Sequence, residues 1–97
     1  MELRIAQSAL EDLQAIKEFY VGEGDPQVGN DLVAKILEST DMLLDHPDAG
    51  RIVPEFELDY IRELIHPPFR VVYLRQEQEL VLIRVWHSER QLELPQG

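Results

Sequence analysis

The chain is predicted to take an α+β fold: an N-terminal strand, then an antiparallel helical hairpin packed on a mostly antiparallel sheet of three to four strands. Three observations carry this prediction. Apolar residues recur at helical spacing in two stretches of the first half. The stretch from Tyr60 to Arg90 reads as three strand-like runs joined by two short turns, each run holding an arginine among aliphatic residues. Pro47 and Gly50 punctuate the passage from the helical part to the strand part. The 97 residues are expected to form one domain, residues 1–97.

Leu3 and Ile5 alternate with Glu2, Arg4 and Ala6, which suits a short first strand. Ser8-Ala9-Leu10-Glu11 reads as a capping box, in which the serine hydroxyl accepts from the third helical N–H and Glu11 reaches back. Leu10, Leu13, Ile16 and Tyr20, widened by Ala9 and Phe19, then predict a helix from about Ala9 to Val21. Gly22-Glu23-Gly24 breaks it. Asp25-Pro26 starts a second helix, since Asp caps well and Pro fits the first turn, where its missing N–H costs nothing. Leu32, Val33, Ile36, Leu37, Leu43 and Leu44 form its apolar face, with Thr40 filling the gap. Pro47 ends it after His46. Asp48-Ala49-Gly50 is a turn, and Arg51-Ile52-Val53 is a short edge strand stopped by Pro54. Glu55 to Asp59 reads as loop. Three strands follow, at about Tyr60–His66, Phe69–Arg75 and Leu80–His87. Their connections, Pro67-Pro68 and Gln76–Glu79, are short enough to make them antiparallel neighbours.

Alternation along these strands sorts their side chains into two faces. With Gln76–Glu79 as a plain loop, Arg75 lies opposite Leu80, Tyr73 opposite Leu82, Val72 opposite Ile83 and Arg70 opposite Val85. With Pro67-Pro68 as a two-residue turn, Ile65 lies opposite Arg70 and Arg62 opposite Tyr73. One face then carries Ile61, Glu63, Ile65, Arg70, Val72, Leu74, Val81, Ile83, Val85 and His87. The other carries Arg62, Leu64, Phe69, Val71, Tyr73, Leu80, Leu82, Arg84 and Trp86. Both faces are apolar and two helices cover only one. The expectation is an open face bearing Leu64, Phe69, Val71, Tyr73, Leu82 and Trp86 that receives a protein partner.

Composition excludes several classes of function. The chain has no cysteine, so disulfide and thiolate chemistry are absent. No apolar stretch spans a bilayer, and Met1-Glu2-Leu3-Arg4 lacks the pattern of a secretion signal, so a cytoplasmic location is expected. Net charge is −10. Residues 1–50 hold three basic residues against eleven acidic ones, whereas residues 51–97 hold six arginines against eight acids. So acidic a chain is a poor general binder of nucleic acid, where phosphate contacts dominate affinity. The plainer role for most of these arginines is pairing with neighbouring glutamates.

The sequence offers little catalytic chemistry. His46, His66 and His87 lack ligand-like spacing, and there is no glycine-rich phosphate loop, so no metal or other cofactor is expected. Ser88 follows His87 directly, and adjacent strand residues point apart, which argues against a nucleophile pair. What remains is Arg70 and His87, which share a face in the arrangement above, with Glu63 nearby. An arginine and a histidine together hold a phosphate and move a proton, as RNA cleavage requires. The plainer alternative is that Glu63 neutralises Arg70 and that His87 is a hydrogen-bonding residue at a strand end.

Taken together, Arg62-Glu63-Leu64, Phe69-Arg70-Val71-Val72-Tyr73 and His87-Ser88-Glu89-Arg90 resemble the strand motifs of the ParE/RelE toxin superfamily. Pro47-Asp48-Ala49-Gly50-Arg51 is similar to its Pro-x-x-Gly-Arg turn, and Ala9, Asp12, Leu13, Ile16 and Tyr20 are similar to its first helix. The resemblance covers nearly the whole chain and implies the toxin of a type II toxin–antitoxin module, held in check by a cognate antitoxin. RelE-like members cleave mRNA on the ribosome; ParE-like members inhibit DNA gyrase without being nucleases. The Arg-Glu-Leu and His-x-x-Arg pieces resemble the ParE branch. The chain has no lysine after Lys35 and no tyrosine after Tyr73, and its tail Gln91–Gly97 is too short for a terminal catalytic helix. The resemblance thus implies a gyrase inhibitor with Arg62, Arg70 and Arg90 facing the target. The alternatives are a ribosome-dependent endoribonuclease using Arg70 and His87, or a non-toxic antitoxin-binding scaffold. The strong acidity departs from the usual basic character of such toxins, and it implies an antitoxin segment with complementary basic residues.

Overall fold

The computed structural model describes residues 1–88. The elements are β1 (Glu2–Ile5), α1 (Gln7–Gly22), α2 (Pro26–Met42), β2 (Arg51–Ile52), β3 (Ile61–His66), β4 (Phe69–Arg75) and β5 (Glu79–His87). All five strands join one sheet in the order β1-β5-β4-β3-β2, wider than the three to four strands expected. Strand β1 runs parallel to β5, and every other pairing is antiparallel.

The helical hairpin follows the apolar spacing. Ala9, Leu13 and Ile16 of α1 and Val33, Ile36 and Thr40 of α2 are buried, while Leu10 and Phe19 stay exposed, so the α1 stripe is narrower than the sequence suggests. Thr40 sits in the apolar row because its hydroxyl donates to the Ile36 carbonyl one turn back, at 2.7 Å. The two helices touch at Gly29, where a Cβ would stand 3.0 Å from the Tyr20 Cβ.

The capping box expected at Ser8 does not form. The helix starts one residue before Ser8, and its N-cap, Ala6, makes no side-chain cap. Ser8 instead donates to the Ile83 carbonyl of β5 at 2.6 Å. Pairing with β1 stops at Ile5 opposite Leu82, so the Ile83 carbonyl lies just beyond the end of the neighbouring strand. The serine satisfies a backbone acceptor that the sheet leaves open.

Register at the β3–β4 turn is as expected: Pro67-Pro68, joined by a cis peptide, places Ile65 opposite Arg70 and Arg62 opposite Tyr73. The β4–β5 hairpin also begins as expected, with Arg75 opposite Leu80 and Tyr73 opposite Leu82. Then β5 gains one residue at a bulge, so Val72 faces Arg84, Arg70 faces Trp86 and Phe69 faces His87. The expected pairs of Val72 with Ile83 and Arg70 with Val85 are therefore displaced. Val85 and His87 move to the face of Phe69 and Val71, and Trp86 moves to the face of Arg70.

The hairpin covers the face that sequence alternation left open. Ala9, Leu13, Ile16, Val33 and Ile36 pack against Phe69, Val71, Leu82 and Val85 in one core. Tyr73 and Leu80 join Leu43 in a second cluster. Val71, Tyr73 and Leu82 have no exposed surface at all, and Phe69 is buried too. These four side chains, expected to meet an antitoxin, are core residues of the chain itself. Leu64 and Trp86 remain half-buried. The opposite face is largely covered as well: Ile61, Val72, Val81 and Ile83 pack with Val53 and Phe56 from the segment after β2, while Ile65 at its end stays half exposed. Two apolar sheet faces are thus accounted for by a hairpin on one side and a short loop on the other.

Candidate functional site

Four charged residues form a chain across the second face of the sheet. Arg70 donates from Nε to Glu63 at 2.6 Å and from both terminal nitrogens to Glu55 at 2.5 and 2.8 Å. Glu63 accepts in turn from Arg51 Nε at 2.7 Å. The elements explain the alignment. Arg51 lies opposite Glu63 in the β2–β3 pairing, and Glu55 is carried by the loop that closes over this face. The quartet alternates in sign and is formally neutral. The Glu63 side chain is fully buried and that of Arg70 nearly so, while Arg51 and Glu55 reach solvent.

The two carboxylates hold the Arg70 guanidinium more firmly protonated than usual, Glu55 contributing most and Glu63 next. Conversely, the hydrogen bond from Arg70 holds the Glu55 carboxyl below its ordinary value of 4.5. A depressed carboxylate adds stability that is present above the unfolded pKa and is lost as pH falls through the folded one. The urea midpoint of the wild-type protein is therefore expected to fall on acidification below about pH 4.5, and Glu55→Gln is expected to flatten that limb. Glu55 is partly exposed, so the effect is modest. Parallel acid limbs in the two proteins would show that this ion pair does not couple to folding.

A second lock fixes the turn before β2. The Tyr73 hydroxyl donates to the Pro47 carbonyl and accepts from the Gly50 N–H, both at 2.9 Å. Arg62 donates to the carbonyls of Gly50 and Asp59, each at 3.0 Å, and lies 3.9 Å from the Asp48 carboxylate. Burial raises the Tyr73 phenol above its ordinary pKa, keeping it neutral and able to donate. Alternation alone places Tyr73 on a partner surface; in the structure it is the post around which the Pro47–Arg51 turn is tied.

A third arrangement lies where α1 crosses β5. Asp12 accepts two hydrogen bonds from Arg84, at 2.7 and 3.0 Å, and one from the Val85 N–H at 2.9 Å. It thus pins the helix to the strand beyond the end of β1. The sequence marks Asp12 only through its family likeness, because a polar residue on a partly buried helical face has no local signature of its partner. Asp12→Ala should destabilise by about 1.5–3 kcal/mol, the range for hydrogen bonds involving charged groups. Thermal denaturation measures it, and a change below about 0.5 kcal/mol, typical of surface sites, would remove the role.

Next to this contact is a cleft of about 300 Å³, lined by Ala15, Ile16, Phe19, Tyr20, Pro68, Phe69, Val85, Trp86 and His87 together with the Asp12–Arg84 pair. Phe19 stands at its mouth with 59% of its surface exposed, edge-on to Tyr20 with ring centroids 5.1 Å apart. Arg84 lies over the Trp86 ring at 4.3 Å.

The residues expected to act in RNA cleavage do not come together. His87 pairs with Phe69 across the hairpin, their rings edge-to-face at 5.5 Å, whereas Arg70 is the next residue along and points to the other face. The bulge in β5 is the cause. Of the residues expected to face a target, Arg62 holds turn carbonyls and Arg70 sits within the quartet; Arg90 lies outside the described residues. Among the described residues, no three His, Cys, Asp or Glu side chains gather into a metal-binding set. Nor is any helix among them long and apolar enough to cross a membrane.

A helical hairpin laid on a five-stranded sheet, with a half-buried, formally neutral ion chain and a tyrosine-tied turn, defines a small two-layer α+β protein. The same architecture occurs in a solved chain from the "Chromosomal ParDE TA system from P. aeruginosa". That chain is 26% identical, with a TM-score of 0.75, and the match covers 90% of this chain and 95% of the other. No curated protein matches the chain. Residues 3–92 match the model of the ParE toxin of the type II toxin–antitoxin system parDE, and the chain belongs to that family.

Proposed function

We propose that this protein is the toxin of a ParE-type module, that it acts by inhibiting DNA gyrase through binding, and that a cognate antitoxin neutralises it. Membership of the ParE toxin family supports the module. The observation that favours binding over RNA cleavage is the state of Arg70. Its Nε and both terminal nitrogens donate to carboxylates within the chain. A phosphate would have to displace both glutamates, one of them buried, and His87 stands on the other side of the sheet. Arg62 and Arg70 enter this reading as the frame that shapes the surface, not as the atoms that touch the target.

Purified gyrase should lose supercoiling activity when this protein is added and regain it when the antitoxin is added as well. Full supercoiling at a large molar excess of the protein would reject gyrase as the target. Cuts in translated mRNA after induction, mapped by primer extension, would replace this reading with the endoribonuclease.

A further inference from the structure

We propose that the pocket between the end of α2 and the end of β3 binds a soft monovalent metal ion, Cu(I), through the imidazoles of His46 and His66 and the thioether of Met42. The pocket has a volume of about 250 Å³ and is lined by these three side chains, by Ser39 and by the apolar Leu43 and Leu64 among others. Two elements bring the donors together. Met42 ends α2, and the helical turn runs on beyond it, because the His46 N–H donates to the Met42 carbonyl at 3.2 Å. Residues four apart on such a turn lie one above the other on the same face, so Met42 and His46 are neighbours. His66 comes from the sheet. It follows Leu64 by two residues on β3 and shares its strand face, on which Leu64 packs against the cluster of Leu43, Tyr73 and Leu80.

His66 supplies the observation that calls for a ligand. Its Nδ1 is shut off from solvent and has no hydrogen-bond partner, and among the described residues no other buried side-chain nitrogen or oxygen is left so. A buried polar atom without a partner costs stability, so in a native structure it calls for a physical cause. Imidazole nitrogens are the commonest protein ligands of metal ions. Met42 and His46 are both exposed, and a thioether on an unbranched chain swings toward the His66 ring without strain. The donor set then selects the ion. No carboxylate lines the pocket, so nothing there offsets the charge of a divalent cation. Thioether sulfur and imidazole suit Cu(I), whereas magnesium and calcium take oxygen ligands. The fold assembles what the sequence hides: His46 and His66 are twenty residues apart, and Met42 belongs to none of the usual zinc spacings. The site is independent of the action proposed on gyrase.

The test titrates the untagged full-length protein with Cu(I) under a reductant, against a chromophoric chelator that competes for the ion. One ion per chain is expected, together with a rise in Tm, since the ion binds the folded form. The imidazole NMR signals of His46 and His66 should move on binding, and those of His87 should not. His66→Gln and, separately, Met42→Leu are each expected to weaken binding by more than the roughly tenfold that losing an outer-shell partner costs. Met42 and His46 are at exposed positions, and circular dichroism without copper checks the fold of every variant. If the wild-type protein binds no stoichiometric Cu(I), or if Met42→Leu and His46→Gln both bind it as the wild type does, the proposal is overturned. A shift of the Met1 methyl signal in place of that of Met42, the only other methionine, would put the ion elsewhere and overturn it too. Zn²⁺ held as tightly as Cu(I) would overturn the assignment to a soft ion.

Discussion

Replacing Arg70 with alanine is expected to cost about 3–5 kcal/mol of folding stability, because it strands a buried charge. Glu63 would keep only Arg51, whose side chain is more than half exposed, as its partner. The mirror change, Glu63→Ala, should cost less. It leaves Arg70 with both of its hydrogen bonds to Glu55, and Glu55 can still be solvated. The order of the two losses is therefore a prediction of the geometry. Replacing both residues at once, as Arg70→Met with Glu63→Leu, should recover much of the loss, since an apolar pair of similar volume needs no desolvated charge. Glu55 and Arg51 would return to water, where each is already partly placed. Urea denaturation measures all three, read from midpoints at a constant slope. Equal losses for the two single variants, or a double variant worse than either, would mean that the quartet is not the unit described. The double variant also separates frame from contact. Under the proposed action on gyrase, inhibition kept by a folded double variant makes Arg70 structural, and inhibition lost in a folded one places this pair at the target.

The sequence made some of this legible and hid the rest for a physical reason. Turn lengths and alternation place β3, β4 and the first half of β5 in their observed register, because a two-residue and a four-residue connection leave little freedom. Arg51-Ile52 was visible as an edge strand because Pro54 stops it. The bulge at Ile83 was not visible. It depends on α1, whose Ser8 takes the Ile83 carbonyl and whose Asp12 takes the Val85 N–H. Those partners lie more than seventy residues away in sequence, and no local composition marks them. One extra residue flips every side chain that follows. It therefore separated Arg70 from His87 and carried Val85 and Trp86 to new faces. The choice of which face the helices cover was equally undetermined, since both faces are apolar. A polar pair decided it: Glu63 and Arg70 need charged partners, which the loop carrying Glu55 supplies and the apolar sides of α1 and α2 do not.

The motifs that carry the family likeness are, in this molecule, mostly the frame. Pro47, Gly50 and Tyr73 tie one turn; Arg51, Glu63 and Arg70 form the ion chain; Asp12 pins the helix. Residues of this kind keep a shape while the surface around them changes. The acidic exterior of α1 is such a surface. A net charge of −10 does not disturb a core whose charges are internally matched, and it leaves the exposed helix positions available to specify a partner.

Gly50→Ala tests the tightest point of that frame. A Cβ at Gly50 would lie 2.6 Å from the Tyr73 hydroxyl oxygen, 2.7 Å from its ring edge and 2.8 Å from the Glu63 carbonyl oxygen. Two of these contacts belong to a ring with no exposed surface, and the third to backbone in the sheet, so none yields cheaply. The expected cost is about 1–3 kcal/mol for overpacking. Displacing the turn also breaks the Gly50 N–H and Pro47 carbonyl bonds to Tyr73. Tyr73→Phe removes the hydroxyl alone and leaves those two backbone groups without their partner, at a cost of about 1–3 kcal/mol. In the double variant the losses should sum to less than the two separately. The hydroxyl contact is gone, and the bonds broken by the alanine have already been lost. The ring edge and the Glu63 carbonyl still obstruct the methyl group, so the double variant should not regain the stability of Tyr73→Phe. Thermal and urea denaturation of the four proteins close the cycle. Strict additivity would show that Gly50 and Tyr73 act independently, and the tied turn would then not be the reason for a glycine at this position.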